Sequence, residues 1–171
     1  TTIRFEGAGG SDTAIVRGSN GNDTAVLNVG GGTVSGSGWA VVMLSIESID
    51  VYGGAGDSAT LNDSSGNDTL VAYHNQVTLS AASYSNRVRS FAAVYIVATS
   101  GTDTATLYDS SGNDVLVAQS GLSYMYGAGF LNHATRFDTL TVNATTGGLD
   151  IAYMYGSTGN DTFTGRATTA T

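Results

Sequence analysis

The tripeptide Gly-Asn-Asp occurs four times at a nearly constant interval, at Gly21–Asp23, Gly66–Asp68, Gly112–Asp114 and Gly159–Asp161, so its Asp recurs after 45, 46 and 47 residues. A second set, Asp12, Asp57, Asp103 and Asp150, keeps the same steps and always lies 11 residues upstream. A third register is apolar: Ile46, Phe91 and Phe137, each preceded seven residues earlier by an aromatic, Trp39, Tyr84 and Phe130. Three registers sharing one period define a tandem array, and a period of this size decides the architecture before any single residue does. The units run over about 7–52, 53–98, 99–144 and 145–171, the last of them incomplete.

In the second unit, Gly53-Gly54-Ala55-Gly56-Asp57 makes a corner, and Ser58-Ala59-Thr60-Leu61 alternates polar and apolar residues after it. A polar stretch from Asn62 to Asp68 follows, then Thr69-Leu70-Val71-Ala72-Tyr73 and Gln76-Val77-Thr78-Leu79-Ser80. Ala81 to Ser90 reads as a longer polar stretch carrying Tyr84, and Phe91 to Ala98 closes the unit. Short runs rich in Val, Ile, Thr and Tyr, bounded by Gly, Asn, Asp and Ser, are strand signals. No segment sustains a 3.6-residue apolar period with capping residues. The pattern predicts an all-β chain with about four strands per unit.

One such unit buries too little apolar surface to offset the entropy of ordering it, so it must pack on its neighbours. Two architectures allow this. One is a β-solenoid in which tandem repeats of about 46 residues stack in register; the alternative is a four-bladed propeller-like ring closed by the N-terminal strand. Unit length varies chiefly in the glycine corner before the first Asp, which stacking tolerates, so the solenoid is the primary expectation.

A net charge of −8, a pI near 4.2 and the absence of any Lys exclude a nucleic-acid partner, whose phosphates require clustered basic residues. Twelve of the 14 acidic residues are Asp, concentrated in the repeated motifs, which suits a divalent cation. With no Cys there is no disulfide or thiolate chemistry. No apolar run approaches the ~18 residues of a membrane helix. Abundant Gly, Ser and Thr with only 12% charged residues is the composition of a secreted β-rich protein. The chain begins with Thr rather than Met and is expected to be a processed form or a fragment. Both ends fall within a repeat, so strand edges are expected there, to be covered by further repeats or by a second copy.

Gly18-Ser19-Asn20-Gly21-Asn22-Asp23-Thr24-Ala25-Val26 and Gly156–Phe163 resemble the nonapeptides of RTX calcium-binding β-rolls. Through Asp103–Leu116 and Tyr84–Val94, the whole unit resembles the Gly/Asp-rich tandem repeats of large bacterial secreted and surface proteins. That resemblance implies an extracellular array that binds Ca2+. Calcium takes six to eight oxygen ligands from a sharply turning chain. The oxygen-rich corners offer Asp23, Asp57, Asp63, Asn67, Asp68, Asp103, Asp109, Asn113, Asp114 and Asp161 as candidates. Units stacked in register would set Asp63 beside Asp109 and Asp68 beside Asp114, a column of like charges that calls for a cation or water between its rungs. The same residue types also build turns without any metal.

Catalytic signatures are missing. His74 and His133 occupy different phases of the repeat, and no His-x-His, Gly-x-Ser-x-Gly or phosphate-loop pattern occurs. The Asp pairs recur in every unit, whereas an active site breaks the local pattern once. The aromatic register of Trp39, Tyr84 and Phe130 suits a packed ladder; exposed, it would suit a carbohydrate-binding adhesin. Asn22, Asn62, Asn67, Asn143 and Asn160 head formal N-glycosylation triplets. The reading is a non-enzymatic, secreted or cell-surface structural protein, extended into a filament by head-to-tail association with itself. Calcium would stiffen it, and surface glycans are its other candidate partner.

Overall fold

The computed structural model describes residues 1–162, and the last unit's strand beyond its Gly-Asn-Asp lies outside the described residues. Every regular element is a strand. The first is β1 (Thr2–Glu6), which closes a unit. Next come β2 (Thr13–Arg17), β3 (Thr24–Asn28), β4 (Gly31–Gly36), β5 (Trp39–Leu44) and β6 (Ser48–Tyr52). The second unit supplies β7 (Ser58–Asn62), β8 (Thr69–Ala72), β9 (Gln76–Ala81), β10 (Tyr84–Arg89) and β11 (Ala93–Val97). The third supplies β12 (Thr104–Tyr108), β13 (Val115–Gln119), β14 (Leu122–Gly127), β15 (Phe130–Thr135) and β16 (Thr139–Asn143), followed by β17 (Ile151–Met154). Each complete unit therefore has five strands rather than four: a lead strand, a three-stranded antiparallel meander and a closing strand. The strand unread in the sequence is β10, inside the Ala81–Ser90 stretch that reads as polar, and with it its counterparts β5 and β15.

Two sheets result. One is ten-stranded, in the order β1-β5-β4-β3-β7-β11-β15-β14-β13-β17; the other is seven-stranded, β16-β12-β8-β9-β10-β6-β2. Only the meander stays within one sheet. Every other connection crosses to the opposite sheet, which makes three crossings per unit. An odd number has a simple consequence: consecutive meanders fall in opposite sheets, β3–β5 and β13–β15 in the larger, β8–β10 in the smaller. Outside the meanders all pairing is parallel, as between β3 and β7, β7 and β11, and β8 and β12. Ala25 sits opposite Ala59, Ala105 opposite Leu140 and Arg4 opposite Val42, offsets of 34 to 38 residues. The fold is thus a β-solenoid whose coils repeat at a shorter interval than its sequence. Among the described residues no ring closes, since β1 pairs with β5 and both sheets keep free edges.

Alternation along the strands explains the core. In β7, Ala59 and Leu61 point inward while Ser58 and Thr60 face out; β8 and β12 repeat this with Leu70, Ala72, Ala105 and Leu107. Parallel registry then builds ladders, such as Leu27–Leu61–Ile96 in the larger sheet. The smaller sheet contributes Leu107–Ala72–Val77–Val88–Val51 to the same continuous cluster. Burial of this apolar surface is the main favourable term holding the coils together. Ile46 and Phe91 are buried where the meander crosses to the closing strand, and Phe137 packs partly buried at the equivalent point.

The glycine corners are required by close stacking. Gly101 (φ +119°) and Gly148 (φ +95°) lie over the previous coil's corner, where an added Cβ would strike the carbonyl oxygens of Gly66 and Gly112. Such a φ also disfavours any L side chain. Gly101→Ala is expected to lower unfolding free energy by about 3 kcal/mol or more. Gly9→Ala, in open space, should stay within about 0.5 kcal/mol of the parent; urea denaturation of the two variants measures the contrast.

Candidate functional site: the aspartate corners

Three of the four Gly-Asn-Asp aspartates are not displayed on the surface. Asp23, Asp68 and Asp114 are buried, as are Asp57, Asp103 and Asp109. Each Gly-Asn-Asp carboxylate turns back on its own loop and accepts hydrogen bonds from the Ser four residues earlier. Asp68 takes the N–H and hydroxyl of Ser64 at 3.2 and 2.8 Å. Ser110 does the same for Asp114, Ser19 for Asp23 and Ser157 for the exposed Asp161. This is the Asx-type local capping that makes Asp and Ser turn residues. In the second unit the Tyr84 hydroxyl adds a third hydrogen bond to Asp68 at 2.7 Å, and burial beside that carboxylate pushes the Tyr84 pKa up. Phe130 fills the corresponding position in the third unit and donates nothing.

The second register of aspartates links one coil to the next. Asp23 donates its backbone N–H to the Asp57 carboxylate at 2.8 Å, Asp68 to Asp103 at 2.8 Å, and Asp114 to Asp150 at 3.0 Å. The remaining polar corner residues span the same gap. Asp63 accepts the N–H and hydroxyl of Thr99, Asp109 those of Thr146, Asn67 the N–H of Thr102, and Asn113 that of Leu149. The expected columns of Asp63 over Asp109 and Asp68 over Asp114 do not form. Successive units face opposite sheets, so each Gly-Asn-Asp meets the lead Asp of the following unit instead.

Asp63, Asp68 and Asp103 come together, each offering a carboxylate oxygen within 4.8 Å of the others, and they are the one such acidic trio among the described residues. The third unit places Asp109, Asp114 and Asp150 around a small cavity of about 160 Å³. In the first unit Gly18 stands where Asp63 would be, leaving Asp23 and Asp57. Asp161 stays apart from any such group. Three hard oxygen donors at this separation fit a calcium ion, whose ligands lie at about 2.3–2.6 Å. Hydrogen bonds already reach both oxygens of Asp63 and of Asp68 and one of Asp103, with lone pairs to spare. Burial pushes the Asp103 carboxyl up, reinforced by the nearby charges of Asp63, Asp68 and Asp138.

Comparison with known proteins matches this chain to no family model, no curated protein and no solved structure. Its site is read from its own geometry.

Neither histidine joins the aspartates. His133 lies on the outer face of the larger sheet, and His74 sits edge-on to Phe130. Tyr84 and Phe130 are buried and Trp39 is half-buried, so that register packs the core instead of presenting a binding face. Two further buried polar residues escape the sequence reading. Asn86 and Asn132, one per unit at the same phase, donate across the core to the carbonyls of Asn28 and Tyr73 at 3.0 Å, tying one sheet to the other. Their signal is an Asn two residues after the Tyr84 and Phe130 aromatics.

The local account of Asp68 predicts a graded series in urea denaturation. Tyr84→Phe removes one hydrogen bond to a charged acceptor and should cost about 1–2 kcal/mol. Asp68→Ala strands the Ser64 and Tyr84 donors together and should cost about 3 kcal/mol.

Proposed function

We propose that this chain is a structural repeat module of an extracellular fibre or surface layer, lengthened by head-to-tail stacking and stiffened by calcium at its aspartate corners. The observation that carries the reading is the apolar surface that the outermost described strands leave exposed. Ile3 and Phe5 in β1 pair with Val41 and Met43, which are buried, yet are themselves about half exposed. At the other end Met154 of β17 is 59% exposed beside the half-buried Ala118. Apolar strand edges of this kind template further strands.

The topology prescribes the occupant. Lead strands pair with closing strands in parallel, as β2 does with β6, β7 with β11 and β12 with β16. The outer edge of the lead strand β17, unpaired among the described residues, therefore suits a closing strand such as β1 of a following copy. Asp12 supports the same direction of growth. The carboxylates of its counterparts Asp57, Asp103 and Asp150 accept an N–H from the preceding unit's Gly-Asn-Asp, and no described residue donates one to the Asp12 carboxylate. Extracellular placement rests on the Gly-, Ser- and Asp-rich, Lys-free composition.

Electron microscopy of the purified chain with calcium tests assembly. Five strands per unit shared between two sheets advance the axis by about 12 Å, so fibres should show a repeat of about 24 Å per two units. A chain that stays monomeric at high concentration with calcium would refute head-to-tail growth.

Asp103→Asn tests the calcium component. Asn retains an oxygen for the Asp68 N–H and removes a charge that burial and its acidic neighbours disfavour. A carboxyl raised in the folded state binds more protons there than when unfolded. Its linkage therefore subtracts stability as pH rises from the ordinary Asp range through the raised value. In chelator at pH 7 the variant should melt about 1–3 °C above the parent. Added calcium should raise the parent's melting temperature and leave the variant's unmoved. Equal responses to calcium would assign the corners to hydrogen bonding alone.

A further inference from the structure

The outer face of the ten-stranded sheet carries a row of aromatic rings assembled from three different repeats. Tyr95 of β11 is in register with His133 of β15, His133 with Tyr124 of β14, Tyr124 with Val117 of β13, and Val117 with Tyr153 of β17. Register partners project from the same face of a sheet. The rings touch: Tyr95 and His133 are 5.6 Å apart between centroids, and Tyr124 and His133 are 5.8 Å apart and within 11° of parallel. Tyr126 widens the row beside Tyr124 at 6.2 Å. Tyr95, Tyr126 and Tyr153 are 40%, 41% and 49% exposed. A connected aromatic surface of this kind on a water-facing sheet marks an interaction site.

We propose that this row binds a single chain of a neutral, β-linked polysaccharide. Three features favour that occupant. The first is charge. The outward rows of β11, β15, β14, β13 and β17 hold no acidic or basic side chain apart from His133, which its burial holds toward the neutral form. The equivalent face of the smaller sheet instead carries Arg17, Asp50, Arg87 and Arg89, joined by ion pairs and by guanidinium–Tyr52 contacts. A charged polymer or a typical protein rim would find complementary charge only on that other side.

The second feature is spacing. Tyr95, Tyr124 and Tyr153 occupy alternate strands, so they repeat every two strand spacings, about 10 Å. That step matches one disaccharide of an extended β1,4-linked chain, whose apolar C–H faces pack on aromatic carbon. Tyrosine hydroxyls, the His133 ring nitrogens and the flanking Thr135 and Gln119 supply hydrogen-bond partners for sugar hydroxyls. The third feature is shape. The row is one to two rings wide and turns with the sheet by roughly 20° per strand, which suits one flexible glycan chain better than a crystalline surface.

Isothermal titration of the whole chain with cellohexaose and with chitohexaose tests the proposal, with a heparin hexasaccharide as the charged comparison. At least one neutral hexasaccharide should bind, and heparin should not. Tyr95→Ala, Tyr124→Ala and Tyr153→Ala should each weaken binding by about tenfold. Tyr108→Ala, on the opposite face against Tyr73, should leave the affinity unchanged. Melting temperatures recorded alongside separate lost binding from lost folding, and a Tyr124→Trp variant that keeps the affinity would confirm that the ring is what the ligand reads. Failure to bind either neutral hexasaccharide would overturn the proposal. So would equal affinity in the three row variants, or a parent dimer in sedimentation that Tyr124→Ala dissolves, since the row would then serve a second copy.

Discussion

The carboxylate that accepts a backbone N–H from the preceding coil is the interaction on which the remaining geometry rests. Asp57, Asp103 and Asp150 each hold one such bond, to Asp23, Asp68 and Asp114. A buried backbone donor at a sharp corner has no strand partner of its own, and leaving it unpaired costs about 1–3 kcal/mol. Supplying the acceptor from the next unit sets the distance between coils at each corner. It also brings the corner glycines over the carbonyls of Gly66 and Gly112, where no Cβ fits. Strand registry then follows, because Thr24, Thr69 and Val115 start their strands directly after the bonded aspartates.

Much of this was legible in the periodicity, and what was hidden has a physical cause. The all-β class and the choice of stacking over ring closure follow from repeated Asp and Gly at fixed spacing. The fifth strand was obscured because β10 points Tyr84, Asn86 and Val88 inward. A buried Asn in the middle interrupts the apolar alternation by which strands are recognised, although its side-chain N–H finds a carbonyl on the facing sheet. Missing that strand does not change the sheet crossings in itself. It hides the meander, and only with the meander in place do the crossings sum to an odd number. The error about which aspartates meet follows from there, since stacking in register assumes that like positions lie above one another.

The aspartate corners show how hydrogen bonding and ion binding compete for the same oxygens. Asp63 and Asp68 have donors on both oxygens. Asp103 differs, because one N–H must compensate for burial and for three acidic neighbours. Any cation would therefore have its largest effect at Asp103, and least at the first unit, where Gly18 removes one of the three carboxylates. Calcium sites in this array would differ in strength from unit to unit even though the motif that frames them is constant.

Alternation between sheets also separates what one repeat must do from what one face can do. A residue at a given phase of the 46-residue period appears on one face in one unit and on the opposite face in the next. The outward centre of the closing strand is Asp50 on the smaller sheet and Tyr95 on the larger; in the last meander strand it is Arg87 and then His133. Inward positions have no such freedom, because both sheets border the same core, and there buried Val16, Leu61 and Leu107 recur at one phase and Ala25, Leu70 and Leu116 at another. Core and corner residues are thus held to the one-unit period, while surface residues answer to a two-unit period. A charged face and an aromatic face can coexist on one repeat protein for that reason, each built from alternate units and neither visible as a periodic motif along the chain.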